Sequence, residues 1–320
     1  MANLPLPEVR RVVVLGTGGT IAGKASSSGD NIGYTAGQVD VSDLLGGIDA
    51  PEGVTLLAEQ VAQVDSKDMA IDIWQKLAQR CMHWLAQPGV AGVVITHGTD
   101  TLEETAFFLH SVLAPAKPVV LTCAMRPATA LSPDGPQNVR DAIAVAATAG
   151  AQGVTAVCAG TVHSGVEVQK VHTYRLDAFA SGDAGPIGYV EEGAVRRVRE
   201  WPTSSSSQAS KALSVSGPWP RVEIVMSHAG ASGAIIDALL REGADEPVRG
   251  LVLATTGNGT VHHALEAAAF KAQDAGVAVL RATRCTNGRI LPKTDDRLRD
   301  AGALTPVKAR IALMLELLGD

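Results

Sequence analysis

The run Val90-Ala91-Gly92-Val93-Val94-Ile95-Thr96 is apolar at almost every position. A strand of that kind belongs in a sheet covered on both faces, because a half-exposed strand would alternate. Similar runs recur at residues 12–15, 118–123 and 154–158, and Val54–Val64 reads as a further strand. Between them lie stretches with helical spacing. One holds Ile71, Trp74, Leu77, Ala78, Cys81 and Leu85, another holds Leu102, Thr105, Ala106, Leu109 and Leu113, and a third covers 137–149. A short helix is expected over 38–45, stopped by Gly46-Gly47. Strand and helix in alternation point to a mostly parallel sheet with right-handed crossovers. Over 160–200 the rhythm breaks into short pieces, among them 187–190 and 194–198, which read as antiparallel hairpins. Residues 201–220 include Ser204-Ser205-Ser206-Ser207 and carry no apolar period before Leu213. The alternation then restarts at 222–226, 233–240, 250–255, 262–275 and 277–280, and ends in an apolar helix over 307–318. The expected class is α/β: a larger N-terminal domain (1–202) with a mostly parallel mixed sheet, a linker (203–220) and a smaller C-terminal parallel α/β domain (221–320).

Open α/β sheets bind ligands beyond the carboxyl ends of their strands, so the strand-end turns are where chemistry is expected. The first is Gly16-Thr17-Gly18-Gly19-Thr20-Ile21-Ala22-Gly23. Its glycines do not fit Gly-x-Gly-x-x-Gly and no Gly-Lys-Ser/Thr follows, which excludes the dinucleotide and P-loop readings. What remains is a threonine hydroxyl delivered to the lip of the sheet. The second turn, His97-Gly98-Thr99-Asp100-Thr101, precedes a helix. Asp100 or Thr101 serves as N-cap on the plainest reading, but a cap needs one side chain, so of the adjacent Thr99 and Asp100 one is left over. Ser66 and Asp68 lie between a strand and a helix, and one or the other reads as the cap of that helix. Residues 24–35 are rich in Gly and Ser with Tyr34 near their end, a composition that suits a mobile flap or an ordinary surface loop. On composition alone Lys170, near Glu167 and His172, is an exposed lysine.

Charge removes other classes. The formal net charge is −6, from 33 acidic and 27 basic residues, and no basic block exceeds Arg196-Arg197-Val198-Arg199. A nucleic-acid surface needs a concentrated positive field that this chain lacks. No apolar run approaches the roughly 18 residues of a membrane span. Pro5, Pro7 and Glu8 stand where a signal peptide would have its apolar core, so a cytoplasmic protein is expected, or a periplasmic one if an export signal has been trimmed. The cysteines Cys81, Cys123, Cys158 and Cys285 form no Cys-x-x-Cys pair and read as buried free thiols.

Four segments together resemble the bacterial-type L-asparaginase (asparaginase/glutaminase) family. Thr17-Gly18-Gly19-Thr20-Ile21-Ala22-Gly23 and His97-Gly98-Thr99-Asp100-Thr101 look like its two signature motifs, Tyr34-Thr35-Ala36-Gly37 like its flap motif, and Ala124-Met125-Arg126-Pro127 like a further family segment. The likeness extends to Pro306-Val307-Lys308-Ala309-Arg310. The resemblance implies hydrolysis of the side-chain amide of L-asparagine to L-aspartate and ammonia, with weaker action on L-glutamine, and so a place in asparagine catabolism. It implies Thr20 as nucleophile and Tyr34 as its flap partner. Thr99, Asp100 and Lys170 form a second activating set by the same likeness. Ser66, Thr99 and Asp100 hold the substrate's amino and carboxyl groups, and Gly19 and Gly98 also line the binding site. The amides of the Gly18-Gly19 turn and of Thr99 are expected to face a developing oxyanion. Thr260 stands where some relatives reach across a dimer, and a homotetramer of tight dimers with shared sites is implied. No metal or organic cofactor is required.

This chain departs from the family pattern at Lys67, where many relatives carry glutamine, and shows no clear match for a shared acidic residue around Pro292-Lys293-Thr294-Asp295. Two other readings share the fold. A component feeding ammonia to a tRNA-dependent amidotransferase calls for a tRNA-facing module or basic surface. A binding module without turnover is opposed by the intact Thr20, Thr99, Asp100 and Lys170 set.

Overall fold

A computed structural model of the chain describes residues 10–204, 212–213, 215, 217–241 and 246–318. It divides into two compact units, Met1–Ser207 and Gln208–Asp320. Much of the expected linker, and the amino-terminal stretch read for an export signal, lie outside the described residues.

The first unit is built on strands β1 (Arg10–Gly18), β2 (Val54–Val64), β3 (Val90–Thr96), β4 (Val119–Thr122), β5 (Val154–Cys158) and β6 (Thr161–Ser164), the small pair β7 (Gln169–Lys170) and β8 (Phe179–Ala180), then β9 (Gly188–Glu191) and β10 (Ala194–Arg197). Its main sheet has eight strands in the order β10-β9-β6-β5-β4-β3-β1-β2. The strands β2-β1-β3-β4-β5 are parallel throughout. Strands β6, β9 and β10 are antiparallel additions, the hairpin character expected over 160–200. Helices α1 (Val41–Leu44), α2 (Ile71–Leu85), α3 (Leu102–Leu113) and α4 (Gly135–Ala147) lie between the parallel strands in sequence.

Buried aliphatics hold these layers together. Val12 and Val14 of β1 join Val94, Val120 and the α4 residues Val139 and Ile143 in one cluster. Successive strand residues point to opposite faces, which sends Val13 and Leu15, also fully buried, to the other side. Each such side chain contributes about 1.5–3 kcal/mol when removed from water. Trp74 of α2 stacks on Phe108 of α3 with ring centroids 5.1 Å apart, so two of the few aromatic residues sit where those helices meet.

The second unit has β11 (Arg221–Met226), β12 (Val248–Thr255), β13 (Ala278–Thr283) and β14 (Arg299–Asp300), parallel and in chain order. Among its described residues are the helices α5 (Ala234–Arg241), α6 (His263–Asp274) and α7 (Pro306–Leu317). Pro306 opens α7 at a position where its missing N–H costs nothing. Arg310 on α7 donates to the Val222 carbonyl at 2.9 Å, tying that helix to β11.

Two buried histidines make the first unit acid-sensitive. Burial pushes His97 and His163 down from 6.5 to about 4. The unfolded chain therefore binds protons that the folded chain refuses. Their contribution is complete above pH 6.5 and is lost as pH falls toward 4, at about 3 kcal/mol each. Melting temperature should drop steeply between pH 6.5 and 4. His163→Asn, whose side-chain amide falls near the Nδ1 position and keeps a polar partner for Ser181 (2.8 Å from His163 Nδ1), should flatten that slope. An identical slope in the variant would assign the acid sensitivity elsewhere.

Candidate active site

The parallel strands run in the spatial order 2-1-3-4-5, so the direction of winding reverses between β1 and β3. That reversal opens a crevice at the carboxyl ends of the two strands, the usual ligand position in such sheets. In the β1–β3 register Gly16 pairs with Thr96. The turns bearing Thr20 and Thr99 therefore leave neighbouring strands at the same level.

Glycine lets these turns touch. Gly19 has φ +82°, and a Cβ there would overlap the backbone of Gly98. A Cβ on Gly98 would in turn strike the Ser66 side chain. Three strand-end segments, after β1, β2 and β3, thus meet at one point, and the residues following the two glycines are Thr20 and Thr99. Both threonines are buried, each 6% exposed.

Each hydroxyl has its own partner. Thr20 Oγ1 lies 2.6 Å from Tyr34 Oη. Lys170 Nζ donates to Thr99 Oγ1 at 2.8 Å and pairs with Asp100 Oδ1 at 2.6 Å. The side chain of Lys170 is 18% exposed, against the surface lysine that composition alone suggests, whereas that of Asp100 is 56% exposed. The antiparallel pairing of β7 with β8 carries Lys170. Its N–H donates to Glu103 Oε1 on α3 at 3.3 Å.

The flap is tied at both of its ends. Lys24 and Thr35 exchange backbone bonds of 3.0 and 2.9 Å, Gly37 N–H donates to Gly19 O at 3.1 Å, and Ala128 N–H donates to Gly23 O at 3.0 Å. Gln63 Nε2 donates to Gly37 O at 2.6 Å, and Ala25 N–H donates to Thr129 Oγ1 at 2.9 Å. Tyr34 is therefore held over Thr20 by anchors on both sides of the loop.

Several expectations need correction. Neither Ser66 nor Asp68 caps α2: Ala70 is its N-cap residue, with no side-chain bond. Ser66 Oγ instead accepts from Asp100 N–H at 3.2 Å, and Ser66 O accepts from Thr101 Oγ1 at 2.7 Å. Thr101 stands at the N-cap of α3 without capping it, because its hydroxyl is committed to Ser66. The strand-to-helix junctions serve the meeting of the turns instead. The Gly19 amide is also taken, donating to Val64 O at 2.9 Å, so it is not open to an oxyanion. Thr20 opens a 3-10 turn, and its N–H, like other first-turn amides, has no partner within that helix. Lys67 is neutralised locally by Asp65 at 3.1 Å and Asp68 at 2.7 Å. Of the cysteines, Cys81, Cys123 and Cys158 are buried and free, but Cys285 is exposed.

Thr260 lies in the second unit, in a tight turn where its Oγ1 is 3.0 Å from Thr256 O and 2.8 Å from Thr256 Oγ1. Arg281 braces that turn by donating to Gly259 O at 3.2 Å while pairing with Asp296 at 2.7 Å.

Sequence reasoning missed the layer beneath the second turn. His97 is fully buried, with Nδ1 2.7 Å from Gly98 O and Nε2 2.9 Å from Thr105 Oγ1. A histidine inside a strand-end motif, with a threonine in the first turn of the helix that follows it, was the available signal. Among the described residues no group of three or more His, Cys, Asp or Glu side chains could hold a metal ion, and no helix is long and apolar enough to cross a membrane.

A two-unit α/β protein with paired hydroxyl-bearing turns at its winding reversal is the class this architecture defines. A family model described as Asparaginase, N-terminal, matches residues 11–203, and one described as Glutaminase/Asparaginase C-terminal domain matches 221–319. The chain belongs to the asparaginase family. It is 36% identical to L-asparaginase 2 of Bacillus subtilis, over 98% of this chain and 83% of that protein. It is 35% identical to L-asparaginase 2 of Escherichia coli, over 99% and 90%. A glutaminase-asparaginase of Pseudomonas fluorescens is 32% identical over 97% and 87%. The crystal structure of a probable cytoplasmic L-asparaginase from Campylobacter jejuni superposes with a TM-score of 0.88 at 35% identity, covering 97% of this chain and 96% of that one.

Proposed function

We propose that this chain is an L-asparagine amidohydrolase, releasing ammonia from the side-chain amide to give L-aspartate, with weaker action on L-glutamine. The observation that carries this reading is the meeting of two hydroxyls, each with its own proton partner, where Gly19 and Gly98 touch.

Thr20 Oγ1 attacks the amide carbon. A threonine hydroxyl is a weak nucleophile until its proton has somewhere to go, and Tyr34 Oη at 2.6 Å is the group within reach. The phenol accepts that proton as it passes its own hydrogen toward the departing nitrogen, so no net charge builds on the tyrosine. Ammonia leaves and an aspartyl ester remains on Thr20. Water then cleaves the ester, with Thr99, Lys170 and Asp100 as the second activating set. The N–H groups of Thr20 and Thr99 serve the oxyanion, where a single donor is typically worth about a hundred- to a thousandfold in rate. Asp100, half open to solvent with Oδ1 on Lys170, offers Oδ2 to the substrate ammonium, and the Ser66 hydroxyl hydrogen donates to the substrate carboxylate.

A side-by-side ammonia-release assay on asparagine and glutamine tests the reading. Higher kcat/KM on asparagine is expected; release from neither amide, with aspartate still bound in calorimetry, would make the protein a binding module. Tyr34→Phe separates the flap's chemistry from its packing. It should lower kcat about a hundredfold, the usual scale of a lost proton-transfer partner, with aspartate affinity near that of the parent protein. Turnover at the parent rate would remove Tyr34 from the mechanism.

The proposed assembly is a homotetramer of tight dimers, with Thr260 contributed to a neighbour's site. The exposed Ile224 and Met226 on the edge strand β11, with Ile235 on α5, support an apolar contact between copies. Light scattering checks the mass. Cytoplasmic residence is proposed from the likeness to the probable cytoplasmic L-asparaginase of Campylobacter jejuni, with the periplasm as the alternative if an export signal is trimmed. Cell fractionation tests that.

A further inference from the structure

A buried file of polar groups runs from α2 to the second turn. Trp74 Nε1 donates to Thr105 Oγ1 at 2.8 Å, Thr105 Oγ1 is 2.9 Å from His97 Nε2, and His97 Nδ1 is 2.7 Å from the Gly98 carbonyl. Trp74, Thr105 and His97 are 5%, 0% and 0% exposed, so water does not stand in for a missing partner. The chemistry of the groups leaves one proton order. Indole N–H only donates and a carbonyl only accepts. His97 Nδ1 must therefore carry its hydrogen toward Gly98 O. In the neutral ring Nε2 is then bare, and the Thr105 hydroxyl, already accepting from Trp74, must donate to it.

The two halves of the turn are anchored separately. Ser66 holds the later half, through Asp100 N–H and the Thr101 hydroxyl. His97 holds the earlier half, the Gly98 carbonyl, whose peptide unit includes the Thr99 N–H. Building on the amidohydrolase reading, we propose that His97 is a positioning residue for the reacting side of the site: its Nδ1 hydrogen, in a tautomer set by Trp74 and Thr105, fixes the Gly98–Thr99 peptide that presents Thr99. It touches neither substrate nor the attacking hydroxyl. Loss of its Nδ1 donor therefore displaces Thr99 but leaves Asp100 and Ser66 in place to bind.

Two variants separate this role from packing. Asparagine superposes a side-chain amide on the Nδ1 position and retains the donor to Gly98 O, whereas glutamine reaches the Nε2 position and retains only the contact with Thr105. His97→Gln should lower kcat ten- to a hundredfold with KM within about threefold, and His97→Asn should recover most of that loss; a one-ångström misplacement of a reacting group has consequences of this scale. Equal losses in both variants, or a parent-like kcat in His97→Gln, would overturn the inference. Histidine-selective 15N solid-state NMR on the unaltered protein, with the His97→Asn spectrum as the difference assignment, reads the tautomer without any dependence on the activity of the variants. A protonated Nδ1 with a bare, hydrogen-bonded Nε2 is expected, and a protonated Nε2 would overturn the inference. If the unaltered protein released no ammonia from either amide, the amidohydrolase reading and with it the positioning role would fall, while the spectrum would still report the proton order.

Discussion

Thr20→Ala should lower ammonia release from L-asparagine at least about a thousandfold, the loss seen when a covalent nucleophile is removed from a site that otherwise stays intact. The side chain is small, and its recorded hydrogen bond runs to Tyr34, so its removal strips the reaction of its acyl acceptor without opening a large cavity. Gly19 and Gly98 would still touch, and Asp100 and Ser66 would still be joined by their 3.2 Å bond. Aspartate affinity should therefore survive. Calorimetry alongside the ammonia assay separates the two, and unchanged turnover would refute the assignment of Thr20.

Lys170→Met ranks second in expected size. Methionine keeps most of the apolar stem but removes the group that donates to Thr99 Oγ1 and pairs with Asp100 Oδ1. Loss of one proton-handling group typically costs about a hundred- to ten-thousandfold in rate. The stability cost should be small, about 1 kcal/mol or less, because Asp100 is more than half exposed and water can solvate it. Lys170→Arg should not rescue the rate, since a guanidinium keeps the charge but cannot give up its proton near neutral pH. Activity of Lys170→Met within tenfold of the parent would place Lys170 outside the chemistry, whereas a fall of several kcal/mol in stability would make it structural.

The sheet was legible because buried parallel strands leave an unbroken apolar signature. Residues 54–64 and 90–96 were read to the residue, and the helical period from Ile71 to Leu85 matched α2 in full. The expected helix over 137–149 is displaced by two residues at both ends, to Gly135–Ala147, since Pro136 suits a first helical turn. Lys170 shows the limit. Its partners Thr99 and Asp100 lie about seventy residues away, and local pattern carries no information on that pairing; only the family resemblance singled it out. Ser66 misled for the opposite reason. A serine before a helix has a strong local explanation as a cap, yet the fold spends it on Asp100, a contact that exists only once β2 and β3 flank β1. The Gly19 amide was assigned to an oxyanion from motif alone, and the neighbouring β2 strand claims it through Val64.

The most direct measurement is a rapid acid quench during turnover of L-asparagine, followed by peptide mass spectrometry of the quenched protein. An aspartyl ester should be found on the peptide carrying Thr20, and it should vanish in Thr20→Ala. An ester on Thr99 instead, or full turnover with Thr20 never esterified, would contradict the assignment of Thr20 as the attacking group.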